Sequence, residues 1–137
     1  MIEERARRWN ASHDAIASGL AKVDGLRLPK RPQSEAYVQS SIQFMVSGLD
    51  DGAFAAFLES CKAKGVFIKW FGATEPVGFT SQSRSWGYIS DPHTPAHTAR
   101  VLDRLCDIRL PLTLTTADCD QLVAIVAYEM ARNHSSR

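Results

Sequence analysis

Few side chains in this sequence are of a type and spacing that could do chemistry. Lys69 stands between Ile68 and the aromatic pair Trp70 and Phe71. A lysine drawn out of water gives up its proton more easily and becomes a nucleophile, as Schiff-base chemistry requires. No phosphate cradle and no acidic partner for a pyridine nitrogen lie close to it, so by itself Lys69 reads as a solvated strand residue and Trp70 as core. Arg109 has Asp103 and Asp107 nearby as ion-pair partners. His93 and His97 are four residues apart, a spacing that on a helix turns two imidazoles toward one metal. Pro92 and Pro95 interrupt that segment, and no third ligand accompanies it. Ser81, Ser83 and Ser85 with Arg84 make a polar stretch without the glycine-rich form of a phosphate loop. No GxSxG elbow supports a serine nucleophile. Cys61, Cys106 and Cys119 are far apart, odd in number and without a CxxC pair, which argues for free thiols and a reducing compartment. Cys61 and Cys106 fall at apolar positions expected to be helical and read as small core residues.

Composition narrows the classes further. The 137 residues are 45% hydrophobic and 23% charged, and 16 basic against 15 acidic side chains leave a net charge of +1. One domain with one main core fits that length, burying about two-thirds of the unfolded surface. The balance of charge offers no field for nucleic acid or for a membrane surface. Arg5, Arg7 and Arg8 are the one basic concentration, and with Glu3 and Glu4 beside them they read as a solvated helix face. The charged N-terminus lacks the apolar region of a signal peptide. No apolar run approaches the roughly twenty residues of a membrane span. The expected location is cytoplasmic.

The elements that must position these residues follow from periodicity. Trp9, His13, Ile16, Leu20 and Val23 recur at three- and four-residue spacing, which predicts a helix over 2–24 with Gly25 as its stop. Residues 26–33, with two prolines, read as a connector. Val38, Ser40, Ile42, Phe44 and Val46 alternate with Gln39, Ser41, Gln43 and Met45, the pattern of a half-buried strand over 38–46. Asp50 or Asp51 caps a second helix with Phe54, Phe57, Leu58 and Cys61 on its apolar stripe, and Gly65 ends it. A strand is expected over 66–71, then a loop over 72–95 with one short strand at 86–89. Helix 97–106, strand 108–112 and helix 117–132 complete the chain, the last opened by a capping box of Thr115 and Asp118. This order predicts an α+β two-layer sandwich: a small, mainly antiparallel sheet of three to four strands with helices on one face. The face of Gln39, Ser41 and Gln43 can meet water. Phe67, Trp70, Phe71, Phe79 and Trp86 form an aromatic group that calls for a neighbour.

The segments GLRLP, SSIQFMV, KAKGV, IKWFG, PVGF, WGYI and IRLPLT, ordered before a terminal helix, resemble the C-terminal small domain of pyridoxal-phosphate-dependent aminotransferases of the DegT/StrS type. The likeness runs from about Ile2 to Met130. It implies the small domain of an aspartate-aminotransferase fold (fold type I), with a large cofactor domain lying outside this sequence. Met1 then falls where such a chain would leave the large domain, as in a truncated frame or a cut piece. The resemblance implies that this chain alone binds no cofactor and is inactive, while the parent transaminase uses pyridoxal phosphate on an amino-acid or keto-sugar-like substrate. Lys69, Trp70 and Phe71 would line the carbonyl-substrate pocket, and Arg109 would clamp a substrate carboxylate. The partner would be the large domain. The alternative is a free-standing interaction or ligand-binding module in which a second copy of the chain covers the aromatic face.

Overall fold

In a computed structural model of the chain, residues 1–75, 87–88, 90 and 93–134 are described. The elements run α1 (Ile2–Leu20), β1 (Leu26–Arg27), β2 (Ser41–Val46), α2 (Asp51–Ala63), β3 (Lys69–Trp70), α3 (Ala96–Leu102), β4 (Leu105–Arg109) and α4 (Thr116–His134). The four strands form one sheet in the order β1-β2-β4-β3, antiparallel throughout. The α+β sandwich expected from periodicity is therefore present.

One face of the sheet carries the core. On β2, Ile42, Phe44 and Val46 are buried, and on β4 Cys106 and Ile108 join them. Phe54, Phe57 and Cys61 from α2, Ile16 and Leu20 from α1, and Val126 and Met130 from α4 close over that face. Side chains of this kind stabilise by about 1.5–3 kcal/mol each when fully buried. Among the helices α4 touches both α1 and α2. Cys61, Cys106 and Cys119 are all buried as free thiols, and desolvation pushes Cys61 and Cys106 up to about 12.

Several boundaries differ from the expectation. Helix α1 ends at Leu20, and Gly25, at φ 83°, turns the chain into an edge strand where a connector was read. β1 lasts two residues, since Pro29 has no N–H to continue a ladder. Gly65 does end α2, at φ 87°. The expected strand 66–71 is regular strand at Lys69–Trp70, with Phe71 N still bonded to Leu105 O, and the expected strand 38–46 is regular from Ser41, with Ser40 O still accepting from Leu110 N. Around residue 105 the correction is larger. Leu102, Leu105 and Cys106 repeat at a spacing that suits a helix face, but α3 stops at Leu102 and Cys106 belongs to β4. That strand pairs on both sides, with β2 and with β3, and this two-sided ladder decides the segment against the helical period. The strand expected at 86–89 lies largely outside the described residues, as do Phe79, Trp86 and the stretch 81–85.

The caps behave as read. Asp50 accepts from Ala53 N at 2.9 Å. Asp118 accepts from Thr115 N at 2.8 Å and from the Thr115 hydroxyl at 2.7 Å, while Asp118 N donates back to Thr115 Oγ1. Those bonds favour the carboxylate and lower the Asp118 pKa.

One feature was not read from sequence. Glu129 on α4 is fully buried; its Oε1 is ion-paired with Lys64 at the end of α2, and Arg132 Nη1 stands 3.8 Å from Oε2. Lys64 also lies over the Tyr128 ring, 4.3 Å from its centroid. Lys64→Ala is expected to leave the carboxylate only the more distant Arg132 and to cost about 2 kcal/mol in chemical denaturation. This falls below the ~3–5 of a fully buried pair because the lysine is half exposed. Lys64→Ala with Glu129→Leu should recover most of that loss; a double variant no better than the single one contradicts the assignment.

A second expectation concerns His13. Burial lowers its pKa from 6.5, only partly countered by Asp14, and Arg31 lowers it further. The neutral ring is favoured by the fold, so its contribution is complete above pH 6.5 and is lost as pH falls through the folded value. Unfolding curves from pH 7 downward should show this loss, and His13→Gln should remove it.

Candidate functional site

The register places the chemistry-bearing side chains on the sheet face opposite the core. Successive residues of a strand point to opposite faces. Ile42, Phe44, Cys106 and Ile108 point into the core, so Ser41, Gln43 and Met45 on β2 and Leu105, Asp107 and Arg109 on β4 point away from it. On β3 Lys69 pairs with Asp107 and Trp70 with Cys106. Phe71 N continues the ladder to Leu105 O at 3.0 Å. Lys69 and Phe71 therefore share the open face, and the Lys69 ammonium lies 5.7 Å from the Phe71 ring centroid. On β1 Arg27 pairs with Met45 and donates to its sulfur at 3.2 Å.

Read across the strands, the open face consists of rows. Gln43, Asp107 and Lys69 form one, Ser41 and Arg109 the next, and Arg27, Met45, Leu105 and Phe71 the row on the other side. Direct neighbours in such rows have Cβ atoms about 5 Å apart, so substituents of all three strands can meet one ligand. Among the described residues, the cations Arg27, Lys69 and Arg109 and the carboxylate of Asp107 carry the charge of this face. Lys69, Asp107 and Phe71 are half-buried; Arg109 is exposed.

Of the four residues singled out from sequence, three share this face and Trp70 does not. The Trp70 ring turns toward the helices, edge-on to Phe54 with centroids 5.3 Å apart, and its Nε1 donates to Asp103 O at 2.9 Å. A Cβ at Gly72 would lie 2.6 Å from that nitrogen. The aromatic group expected to need one neighbour is thus divided: Trp70 packs against α2, Phe71 is half-buried, and Phe67 is 53% exposed. Asp103, considered as a partner for Arg109, is engaged by Arg104 instead, Nη1 to Oδ2 at 2.8 Å. Arg104 also pairs with Asp51 and stands 4.9 Å from the Phe54 ring centroid, joining the start of β4 to the first turn of α2. Gln43 and Asp107 were not proposed as site residues from sequence; the signal was their parity with Lys69 and Arg109, legible only once the register is known.

Among the described residues, the face offers cations, a carboxamide, a hydroxyl and a carboxylate. Among the described residues, no group of three His, Cys, Asp or Glu side chains could hold a metal. No helix among them is long and apolar enough to cross a membrane.

The chain matches no family model, and no curated protein is similar to it. Solved structures are similar. The aminotransferase TlmJ from Streptoalloteichus hindustanus superposes with a TM-score of 0.74 at 17% identity, over 95% of this chain and 33% of its own. The sugar aminotransferase CalS13 from Micromonospora echinospora gives 0.72 at 18%, over 93% and 31%. A sugar aminotransferase, Spr1654 of Streptococcus pneumoniae in its PMP form, gives 0.73 at 11%, over 96% and 32%. The likeness is one of fold, and this chain spans about a third of the length of the structures it matches.

The division between faces has a measurable consequence. Lys69→Ala and Arg109→Ala are expected to leave unfolding free energy within about 0.5 kcal/mol, as for surface positions. Trp70→Ala should cost about 2–3 kcal/mol, below the ~3–5 of a fully buried tryptophan because the ring keeps some exposure. Equal losses at all three positions would overturn the face assignment.

Proposed function

We propose that this chain is the small domain of a pyridoxal-phosphate-dependent aminotransferase of the DegT/StrS kind, closing over and shaping the substrate site of a larger cofactor domain. The observation that carries this reading is the fold likeness over nearly all of the chain to one third of several aminotransferases. It favours a part of a longer enzyme over a free-standing module. The open face supports the same reading, since Arg27, Lys69 and Arg109 are side chains of a kind that suits the carboxylate or phosphate of an amino-acid or sugar substrate. In this role Lys69, Phe71 and Arg109 face the substrate, with Gln43 and Asp107 between them. Trp70 holds the β3 end of the sheet to α2 from behind.

The described residues do not fit pyridoxal phosphate by themselves. The cofactor needs a cradle of N–H groups for its phosphate, and the starts of α2 and α4 are filled by the carboxylates of Asp50 and Asp118. Lys69 has an acid opposite it in the ladder but, among the described residues, no such cradle beside it. The cofactor therefore belongs, in this proposal, to the large domain.

Two measurements test it. Titration of the purified chain with pyridoxal phosphate, followed at the Schiff-base absorbance band and by borohydride trapping, should give no stoichiometric adduct on any single lysine. A one-to-one adduct on Lys69 would make the chain a cofactor-binding protein in its own right. Joined to a cofactor domain, Arg109→Ala and Lys69→Ala should each raise KM about tenfold or more, the loss of one charged hydrogen bond, without changing the cofactor spectrum. Unchanged KM in both removes the open face from the substrate site.

A further inference from the structure

A recess lies at the β1 edge of the sheet and meets the rows just described at Gln43. β1 pairs only with Met45 and Val46, so among the described residues the rest of that side of β2 has no strand beside it. The direction of its backbone groups follows from the ladder. Ser47 N bonds to Gly25 O on the β1 side, while Val46 N bonds to Arg104 O on the β4 side. By alternation the N–H and C=O of Gln43 point to the β1 side, at the level where Pro29 would stand had the strand continued. Proline cannot donate there, and among the described residues no backbone group pairs with Gln43 on that side.

The chain around this gap is held in place. Residues 28–40 run without regular structure, a length usually reserved for functional loops. Asn10 on α1 fastens the far end, donating to Tyr37 O at 2.9 Å and accepting from Gln39 N at 3.0 Å. The Arg31 guanidinium lies 4.5 Å from the Tyr37 ring centroid, and Tyr37 donates to Glu35. Between this loop, α1 and the open stretch of β2 is a cleft of about 200 Å³, lined by His13, Leu28, Pro29, Arg31, Gln39 and Gln43. That is the space of about seven waters. His13 Nδ1 faces Asp14 Oδ1 at 3.4 Å, and Gln39 Nε2 reaches the same oxygen at 3.5 Å. Burial keeps the imidazole neutral near pH 7. Arg31 is then the cation of the lining, pre-oriented by its aromatic support.

We infer that this edge cleft binds a small carboxylate carrying a secondary amide one carbon away, as in an N-acylated amino acid or the C-terminal residue of a peptide. The amide completes the interrupted ladder against the N–H and C=O of Gln43, and the carboxylate pairs with Arg31. The carboxamides of Gln39 and Gln43 bracket the ligand, and the ring of Pro29 with Leu28 supplies the apolar wall. This site shares Gln43 with the open face, but its ladder edge and Arg31 are its own.

The test is a ¹⁵N–¹H correlation spectrum of the whole chain titrated with N-acetylglycine. Saturable shifts are expected at the Gln43 amide, the Gln39 and Gln43 side chains and Arg31 Nε, with a dissociation constant in the millimolar range. Acetate, which lacks the amide, and N-acetylglycinamide, which lacks the charge, should each bind at least tenfold more weakly. Arg31→Gln, on an exposed loop, should keep the dispersion of the spectrum and weaken N-acetylglycine about tenfold. Tetra-alanine with a free C-terminus separates the two sources: tighter binding than N-acetylglycine assigns the cleft to a chain terminus, and equal binding to a free small molecule. Absence of saturable shifts at these residues overturns the inference, as does binding to Arg31→Gln equal to that of the unaltered chain.

Discussion

Pairing of β2 with β4 is the constraint on which the rest of the structure depends. Five residue pairs, from Ser41 opposite Arg109 to Met45 opposite Leu105, fix which side chains enter the core and which leave it. A slip of one residue would exchange either Phe44 for Gln43 or Cys106 for Asp107 and would put a polar or charged group beneath the helices. β1 and β3 are each only two residues long and take their positions from this central pair. The helices follow in turn, because the apolar side chains of β2 and β4 form the floor on which α1, α2 and α4 meet. One ladder thus sets both the hydrophobic interior and the polar rows of the outer face.

Where sequence reading succeeded, it used signals that local chemistry makes strong. The alternation in 38–46 sorted the buried from the polar side of β2 correctly, and the caps at Asp50 and Thr115 were legible as residue types at fixed offsets. The stretch around Leu105 misled because a short apolar run satisfies a helical and an extended period equally well. Only pairing with two distant strands resolves it, and a distant partner leaves no trace in local spacing. The same holds for the outer face. Lys69 and Arg109 stood out as charges beside apolar residues, but their common face rests on two registers at once. Trp70, whose sequence neighbours suggested a shared role, has the other parity and packs against the core, as its reading as a core residue expected.

The buried carboxylate of Glu129 was hidden for a related reason. In sequence it sits amid the apolar stripe of the last helix as an ordinary acid, and its counter-ion is 65 residues away. Burial of such a group is tolerable only because the end of α2 arrives with Lys64 at the right place. The pair joins the end of α2 to α4, while Arg104 joins the first turn of α2 to the start of β4. The second helix is thereby anchored electrostatically at both ends, with the Phe54 and Phe57 contacts between them.

The three thiols sit on three different elements of this scheme: Cys61 on α2, Cys106 on β4 and Cys119 on α4. Burial keeps the first two protonated and out of reach of any reagent in solution. Each can react only during an excursion that lifts its own element off the core, so the rate at which each is modified is the frequency of that excursion. The molecule therefore carries a built-in clock for three separate motions. Its reading distinguishes a helix peeling away from the sheet from the opening of the central ladder itself, at which all three would become reactive together.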